Sequence, residues 1–177
     1  QIGVDGKQIG KNLDKLAKDM SNFGHMSKKQ LVATAGYAAK LGVSIEGMGA
    51  MFDKFENFED AATGAAKLAE AFGMNVDAMA MMNAESPGEQ MDMMRNAFSE
   101  TGKSLDDLSR SERKYFEDLT GLKGADLYNA FDPSNADISF DDMMDAADEA
   151  EAQMDPAEAM IKAADKMEKA IDRMHKK

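Results

Sequence analysis

Apolar side chains recur at intervals of three and four residues along most of this 177-residue chain. Near its start they occupy Ile9, Leu13, Leu16 and Met20, a set that we call the N-terminal seam. This spacing places side chains along one stripe of an α-helix. A strand would need strict alternation of apolar and polar residues, which the sequence lacks. The pattern therefore predicts an all-α fold.

A second stripe runs along the last helix that the sequence predicts, between residues 156 and 175. We call its larger members and the alanine between them the C-terminal seam: Met160, Ala164, Met167, Ile171 and Met174. The same register extends back to Met143, with Gln153 as its one polar position, and Pro156 predicts a kink or a new helix start. A repeat of this length is typical of a coiled coil. We expect the C-terminal seam to contact copies of itself or the N-terminal seam; alternatively, each seam packs within its own chain.

Capping signals divide the middle of the chain into short helices. Ser27 with Gln30, and Ser86 with Pro87 and Glu89, match the sequence pattern of helix starts. Glycines stand where such helices should end, because Gly adopts the left-handed conformation at little cost; they are Gly42, Gly73, Gly102 and Gly121. Further caps are predicted at Ser44, Asn57, Ser104, Ser109 and Ser139. Together these signals predict about five to seven short helices between residues 27 and 131.

The same signals divide the chain into three segments. Residues 1–26 are predicted to form an amphipathic helix, residues 27–131 a compact multi-helix domain, and residues 132–177 an acidic linker with the C-terminal heptad helix. Asp132 and Pro133 begin the linker, and residues 124–161 contain 11 acidic side chains and no Lys or Arg. We expect the middle to resist proteolysis more than either end, with first cuts near residues 132–138.

The formal net charge of −12 is unevenly distributed. Residues 1–30 and residues 162–177 each carry six basic and three acidic side chains, whereas the residues between them carry nine basic and 27 acidic ones. Such an acidic middle repels phosphate backbones. Sequence-specific binding to nucleic acid is therefore not expected.

The side chains that could support chemistry are few. The chain has no Cys, and its two histidines, His25 and His175, lack a carboxylate at ligand spacing. Residues 137–142 resemble the second half of an EF-hand loop, but two oxygen ligands and the turn Gly are missing, so a helix cap beside a solvated acidic face explains them better. We predict no catalytic residue, no metal site and no cofactor, and hence not an enzyme. No apolar run reaches the roughly 20 residues of a membrane span, so no transmembrane segment is predicted.

Methionines cluster at residues 79–82, 91–94 and 143–144. Flexible Met side chains can line an adaptable groove that takes a partner helix. The alternative is that they fill the core, and the sequence favours it because several of them lie on predicted apolar helix faces.

Five stretches follow one another between residues 41 and 122: LGVSIEGM (41–48), FDKFENFEDAATGAAKLAEAFG (52–73), MMNAESPGEQMDMMRNAF (81–98), TGKSLDDLSRSERKYF (101–116) and TGL (120–122). Together they resemble a region of phage tail tape-measure proteins. They cover under half of the chain and agree in phrase order, without an active-site signature.

The resemblance implies a structural virion protein that fills the lumen of the tail tube, helps to set tail length and is released at genome ejection. Such a protein is made in the host cytoplasm, and its partners are other copies of itself, with a trimer expected rather than a hexamer, and the tail tube and baseplate hub proteins. Because the chain starts at Gln1, we also expect it to be a piece of a longer protein. The alternative function is that of an acidic all-α adaptor, which binds a partner helix through the Met-rich groove.

Overall fold

The computed structural model describes residues 6–18, 25–152 and 166–173. Every regular element within these ranges is helical, so the all-α prediction is confirmed. Nine α-helices are α1 (Gly6–Lys18), α2 (Lys28–Leu41), α3 (Ile45–Lys54), α4 (Phe58–Phe72), α5 (Ala78–Asn83), α6 (Pro87–Glu100), α7 (Arg110–Thr120), α8 (Ala125–Ala130) and α9 (Phe140–Ala152). Residues 166–173 form a further helix, α10. Two short 3-10 helices span Leu105–Asp107 and Pro133–Asn135.

The predicted helix starts and stops are present. Ser27 and Gln30 form the reciprocal capping box at the start of α2, and hydroxyl or amide oxygens cap α3, α4 and α7 as predicted. The Glu89 carboxylate accepts a hydrogen bond from the backbone N–H of Glu85 at 2.8 Å. A capping box would use the N–H of the next residue, the cap Ser86. Left-handed glycines follow α2, α4, α6 and α7, where the chain has to turn sharply. Seven α-helices therefore lie between residues 27 and 131, in line with the prediction.

Four phenylalanines form the centre of the core. The ring of Phe116 on α7 lies 5.0 Å from that of Phe72, 5.3 Å from that of Phe98 and 5.0 Å from that of Phe131, between ring centroids. Around this aromatic cluster the space is filled mainly by buried methionines from α3 to α6, which are Met48, Met51, Met74, Met81, Met91 and Met94. Rings from three helices and from the residue after α8 thus fix the middle of the molecule.

Helix α2 lies between the two ends of the described chain. Both α1 and α9 make their main contacts with it, and smaller contacts join α1 to α3 and α9 to α6. Leu16 from α1 and Phe140 and Met143 from α9 lie in the same core cluster as the buried side chains of the middle. One core is therefore shared by all three segments that the sequence predicts, and their relative resistance to proteolysis stays a prediction.

Helix α8 is attached to the turn before α3 by two polar side chains. The Asp126 carboxylate accepts from the backbone N–H of Ser44 at 2.9 Å and from its hydroxyl at 2.5 Å. The Asn129 amide donates to the Gly42 carbonyl at 2.8 Å.

None of the helices in the described part of the chain is both long and apolar enough to cross a membrane.

Candidate functional site

The N-terminal seam packs against α2 within the same chain. Leu16 is 1% exposed, and Ile9 and Leu13 are half-buried against the core. Asn12 is buried with them, and its amide donates to the Ala35 carbonyl on α2 at 2.9 Å. This hydrogen bond satisfies a buried polar group and fixes how α1 lies on α2.

Helix α10 lies beside α1. The Arg173 guanidinium donates to the Asp14 carboxylate at 2.7 Å. Behind this ion pair, Ile9 and Leu13 of α1 and Ala170 of α10 line a cleft of about 300 Å³. The two terminal helices therefore meet within one chain.

The residues of the C-terminal seam do not all face α1. Ala170 is 4% exposed, whereas the next residue, Ile171, is 44% exposed, and Met167 is half-buried. Of the two seam residues that the structure describes, Met167 is thus partly covered and Ile171 is largely exposed. Met160, Ala164 and Met174, like Met20 of the N-terminal seam, lie outside the described residues. The contact of the seams with other copies, and the coiled coil, stay predictions.

The exposed surface of α1 is basic, and acidic side chains of neighbouring helices lie beside it. The four lysines of α1 are exposed, and Lys15 pairs with Glu46 of α3 at 3.1 Å. Hydrogen bonding to its own backbone N–H, in the first turn of α3, holds the pKa of Glu46 below its usual value; partial burial opposes this, and Lys15 lowers it further. One exposed ion pair thus joins the first helix to the body.

Sequence analysis did not single out Arg95 of α6, which has the densest set of polar contacts in the described structure. Its side chain is only 9% exposed. The Nε atom donates to the Ala130 carbonyl at 2.8 Å, and Nη1 donates to the Tyr37 hydroxyl at 2.6 Å and to the Ile138 carbonyl at 2.7 Å. The Nη2 atom donates to the Asn135 carbonyl at 2.5 Å. One guanidinium thus connects α2, the end of α8 and the segment that leads to α9.

The Tyr37 hydroxyl extends this cluster, because it also donates to the Asp92 carboxylate at 2.5 Å. Burial raises the pKa of Tyr37 well above its usual value, and the Arg95 guanidinium offsets only part of that shift. The hydroxyl therefore keeps its proton and can accept from Arg95 while it donates to Asp92. One sequence signal could have found the cluster: Arg95 is the one basic residue between Lys67 and Lys103, and it stands among apolar neighbours three residues after an Asp.

Half of the eight methionines in the three clusters that could have lined a groove are buried in the core. Met81, Met91, Met94 and Met143 are all buried, and Met82, Met93 and Met144 are packed against the core. Met79, at 48% exposed, is the member of these clusters that faces solvent. The core-filling interpretation is therefore confirmed for the buried four.

A groove with a volume of about 770 Å³ lies between α3, α4 and α7. Its walls carry both acidic and basic side chains, among them Asp53, Asp60, Lys67, Lys114 and Asp118. Within the described ranges, no three His, Cys, Asp or Glu side chains are grouped as a metal site would require. The acidic loop 137–142 instead caps α9, since the Ser139 hydroxyl accepts from the Asp142 N–H at 3.1 Å.

Comparisons with protein families, with curated proteins and with solved structures gave no match to this chain. The functional argument therefore depends on the resemblance of residues 41–122 and on the geometry of the terminal helices.

Proposed function

We propose that this chain is a structural virion protein of the tape-measure kind, a helical filler of the tail tube that helps to set tail length and leaves at genome ejection. The observation that carries the proposal is the position of Ile171, a large apolar side chain that α10 leaves 44% exposed on a heptad repeat. An exposed apolar side chain at a heptad position is suited to contact with a neighbouring helix. The tape-measure family is proposed because the stretches between residues 41 and 122 resemble it.

The same geometry supports self-association through the C-terminal seam. A helix gains most of its stability in water from burying an apolar face. Within residues 166–173, Ala170 is buried while Ile171 is exposed and Met167 is half-buried. A second copy of the chain that packed on Ile171 and the exposed part of Met167 would bury them, and a trimer is the expected assembly.

The association is tested by placing two charges in the seam. In sedimentation analysis the unmodified chain should form a trimer, and the double substitution Met167→Asp and Ile171→Asp should give a monomer with unchanged helix content. The reason is that a charge buried at an apolar interface costs several kcal/mol. Met79→Asp is the matched control, because Met79 is as exposed as Ile171 but lies on α5.

Two results would contradict the self-association. One is an unmodified chain that stays monomeric at high protein concentration, and the other is a control that dissociates as much as the double variant. The tail role has its own test in a phage that encodes the chain. Deleting residues from it in frame should shorten the tail in electron micrographs, by up to about 1.5 Å for each helical residue removed. Tails of unchanged length would refute it.

The adaptor function is not proposed here. It requires a Met-lined groove that is open to a partner helix, and four of the methionines concerned are buried in the core.

A further inference from the structure

We propose that residues 132–152 open away from the rest of the protein as one unit, and that the Arg95 side chain controls how often they do so. This segment contains the 3-10 helix Pro133–Asn135 and all of α9. The proposal is independent of the tail function.

The first step of the argument is the attachment of the segment at its start. Two carbonyls within it, those of Asn135 and Ile138, accept from the Arg95 guanidinium at 2.5 and 2.7 Å. A third hydrogen bond joins the Asn135 amide to the Asn129 carbonyl at 2.9 Å. The charged side chain of Arg95 thus donates two of these three hydrogen bonds to the start of the segment. Hydrogen bonds from charged donors are stronger than those from neutral donors.

The second step is the distribution of buried side chains along α9. Phe140 and Met143 are 3% and 5% exposed, and both belong to its first turn. From residue 144 to residue 149 the side chains are half-buried or exposed. The ion pair between Lys29 and Asp148, at 2.5 Å, joins side chains that are 30% and 54% exposed, and pairs of that kind contribute little. Among residues 140–149 the fully buried side chains therefore lie at the end of α9 that is next to the Arg95 contacts.

The third step is the state that remains after opening. Phe131, the last member of the aromatic cluster, precedes the segment, so the cluster stays whole. Arg95 would keep its hydrogen bonds to Ala130 and Tyr37, and Asp92 lies 3.7 Å from it. Because the buried guanidinium keeps a carboxylate beside it, opening avoids the cost of an unpaired charge. A terminal unit whose departure leaves the rest of the core intact can open locally, even though α9 packs along α2 in the closed state.

The fourth step is the specific fit of the closed state. The Phe140 ring meets that of Tyr37 edge-on, with centroids 5.7 Å apart. It also lies directly against Gly88, where a Cβ atom would overlap the ring. Opening therefore uncovers a defined surface on α2 and α6, made by Tyr37 and Gly88, together with the apolar first turn of α9.

The test uses the fact that the chain has no Cys. A single thiol introduced by Met143→Cys lies on the buried face of α9, within the segment, and one introduced by Met51→Cys lies on the buried face of α3, where Met51 is 0% exposed. The rate at which a thiol reagent labels each position reports how often that position becomes exposed. Arg95→Met should accelerate labelling at residue 143 by about 10- to 100-fold, the range expected when buried carbonyls lose a charged donor, and should leave the rate at residue 51 unchanged.

Arg110→Met, at an exposed arginine of α7, is the matched control and should change neither rate. If Arg95→Met prevents folding, Arg95→Lys keeps the charge but cannot reproduce the fork of donors that reaches both carbonyls of the segment, and it should accelerate labelling at residue 143 by a smaller factor. Equal acceleration at both thiols would mean global unfolding and would overturn the local unit. An unchanged rate at residue 143 in the folded variants would overturn the role of Arg95.

Discussion

The aromatic cluster and the contact between α1 and α10 are both helix–helix contacts, but the side chains that form them differ in size. Phe116 meets three other rings at 5.0 to 5.3 Å, so its helix can occupy only one position. At the ends, the buried residue of α10 is Ala170, whose small side chain constrains the facing helix little. Large interlocking side chains fix a unique packing, whereas small ones leave more than one register open.

The difference bears on how far a heptad pattern can go. It predicts a helix at the end of the chain, and residues 166–173 are helical. It does not say which neighbour the apolar side chains meet, because a small side chain such as that of Ala170 lets a facing helix approach without fixing its register.

The largest effect is expected at the centre of the aromatic cluster. Phe116→Ala should lower the free energy of unfolding by about 3–5 kcal/mol, because Phe116 is 0% exposed and its removal leaves a cavity among three rings. Urea denaturation followed by circular dichroism measures the change. Phe58→Ala is the matched control: Phe58 is 56% exposed, and its loss should cost less than about 0.5 kcal/mol. Similar losses at both positions would refute the central place of the cluster.

A smaller effect is expected where α7 meets α3. Gly121 has a φ of 79°, and a Cβ atom added there would lie 2.9 Å from the backbone carbonyl of Ala50. Gly73 has a similar φ of 70° but open space around its Cα. Both Gly121→Ala and Gly73→Ala should lose about 1 kcal/mol through left-handed strain. Gly121→Ala should lose about 1–2 kcal/mol more, because backbone cannot move aside as a side chain can. Equal melting temperatures for the two variants would contradict this close approach.

Much of the fold was predictable because its signals are local. A capping hydroxyl such as that of Ser27 and a terminal glycine such as Gly42 act on backbone within a few residues, so the sequence places helix ends without knowledge of packing. The all-α class followed from apolar periodicity in the same way. The seven helices between residues 27 and 131 follow from such signals, each of which acts on neighbouring residues in the sequence.

The Arg95 cluster was not predictable by this reasoning, because its partners are distant in sequence. Three of its four acceptors are backbone carbonyls, which any residue could supply, and they lie 35 to 43 residues away from Arg95. Residues 132–138 were predicted as a linker from their composition, since Pro133 and the acidic side chains suit an exposed turn. The composition cannot reveal that a buried guanidinium holds that turn.

The smallest effect concerns the ion pair that joins α1 to the body. Glu46→Gln should lower the free energy of unfolding by no more than about 0.5 kcal/mol at pH 7, because the pair with Lys15 is exposed and screened by salt. The pKa of Glu46 is lower in the folded protein than its usual value, so the folded state favours the charged carboxylate. Its contribution is therefore fully present above the unfolded pKa of about 4.3 and is lost as the pH falls through the lower folded value.

Denaturation of both proteins at pH 7 and at pH 3 should thus show a difference that shrinks in acid, and at pH 7 the difference should also shrink in 1 M salt. Glu56→Gln, at an exposed glutamate of the turn after α3, provides the control. Since the chain carries a formal net charge of −12, removing a negative charge there should leave stability unchanged or raise it slightly. If Glu46→Gln were as harmless at pH 7 as this control, the Lys15 contact would not hold α1 in place, and the attachment of that helix would come from its packing on α2, with Leu16 and the Asn12 hydrogen bond at its centre.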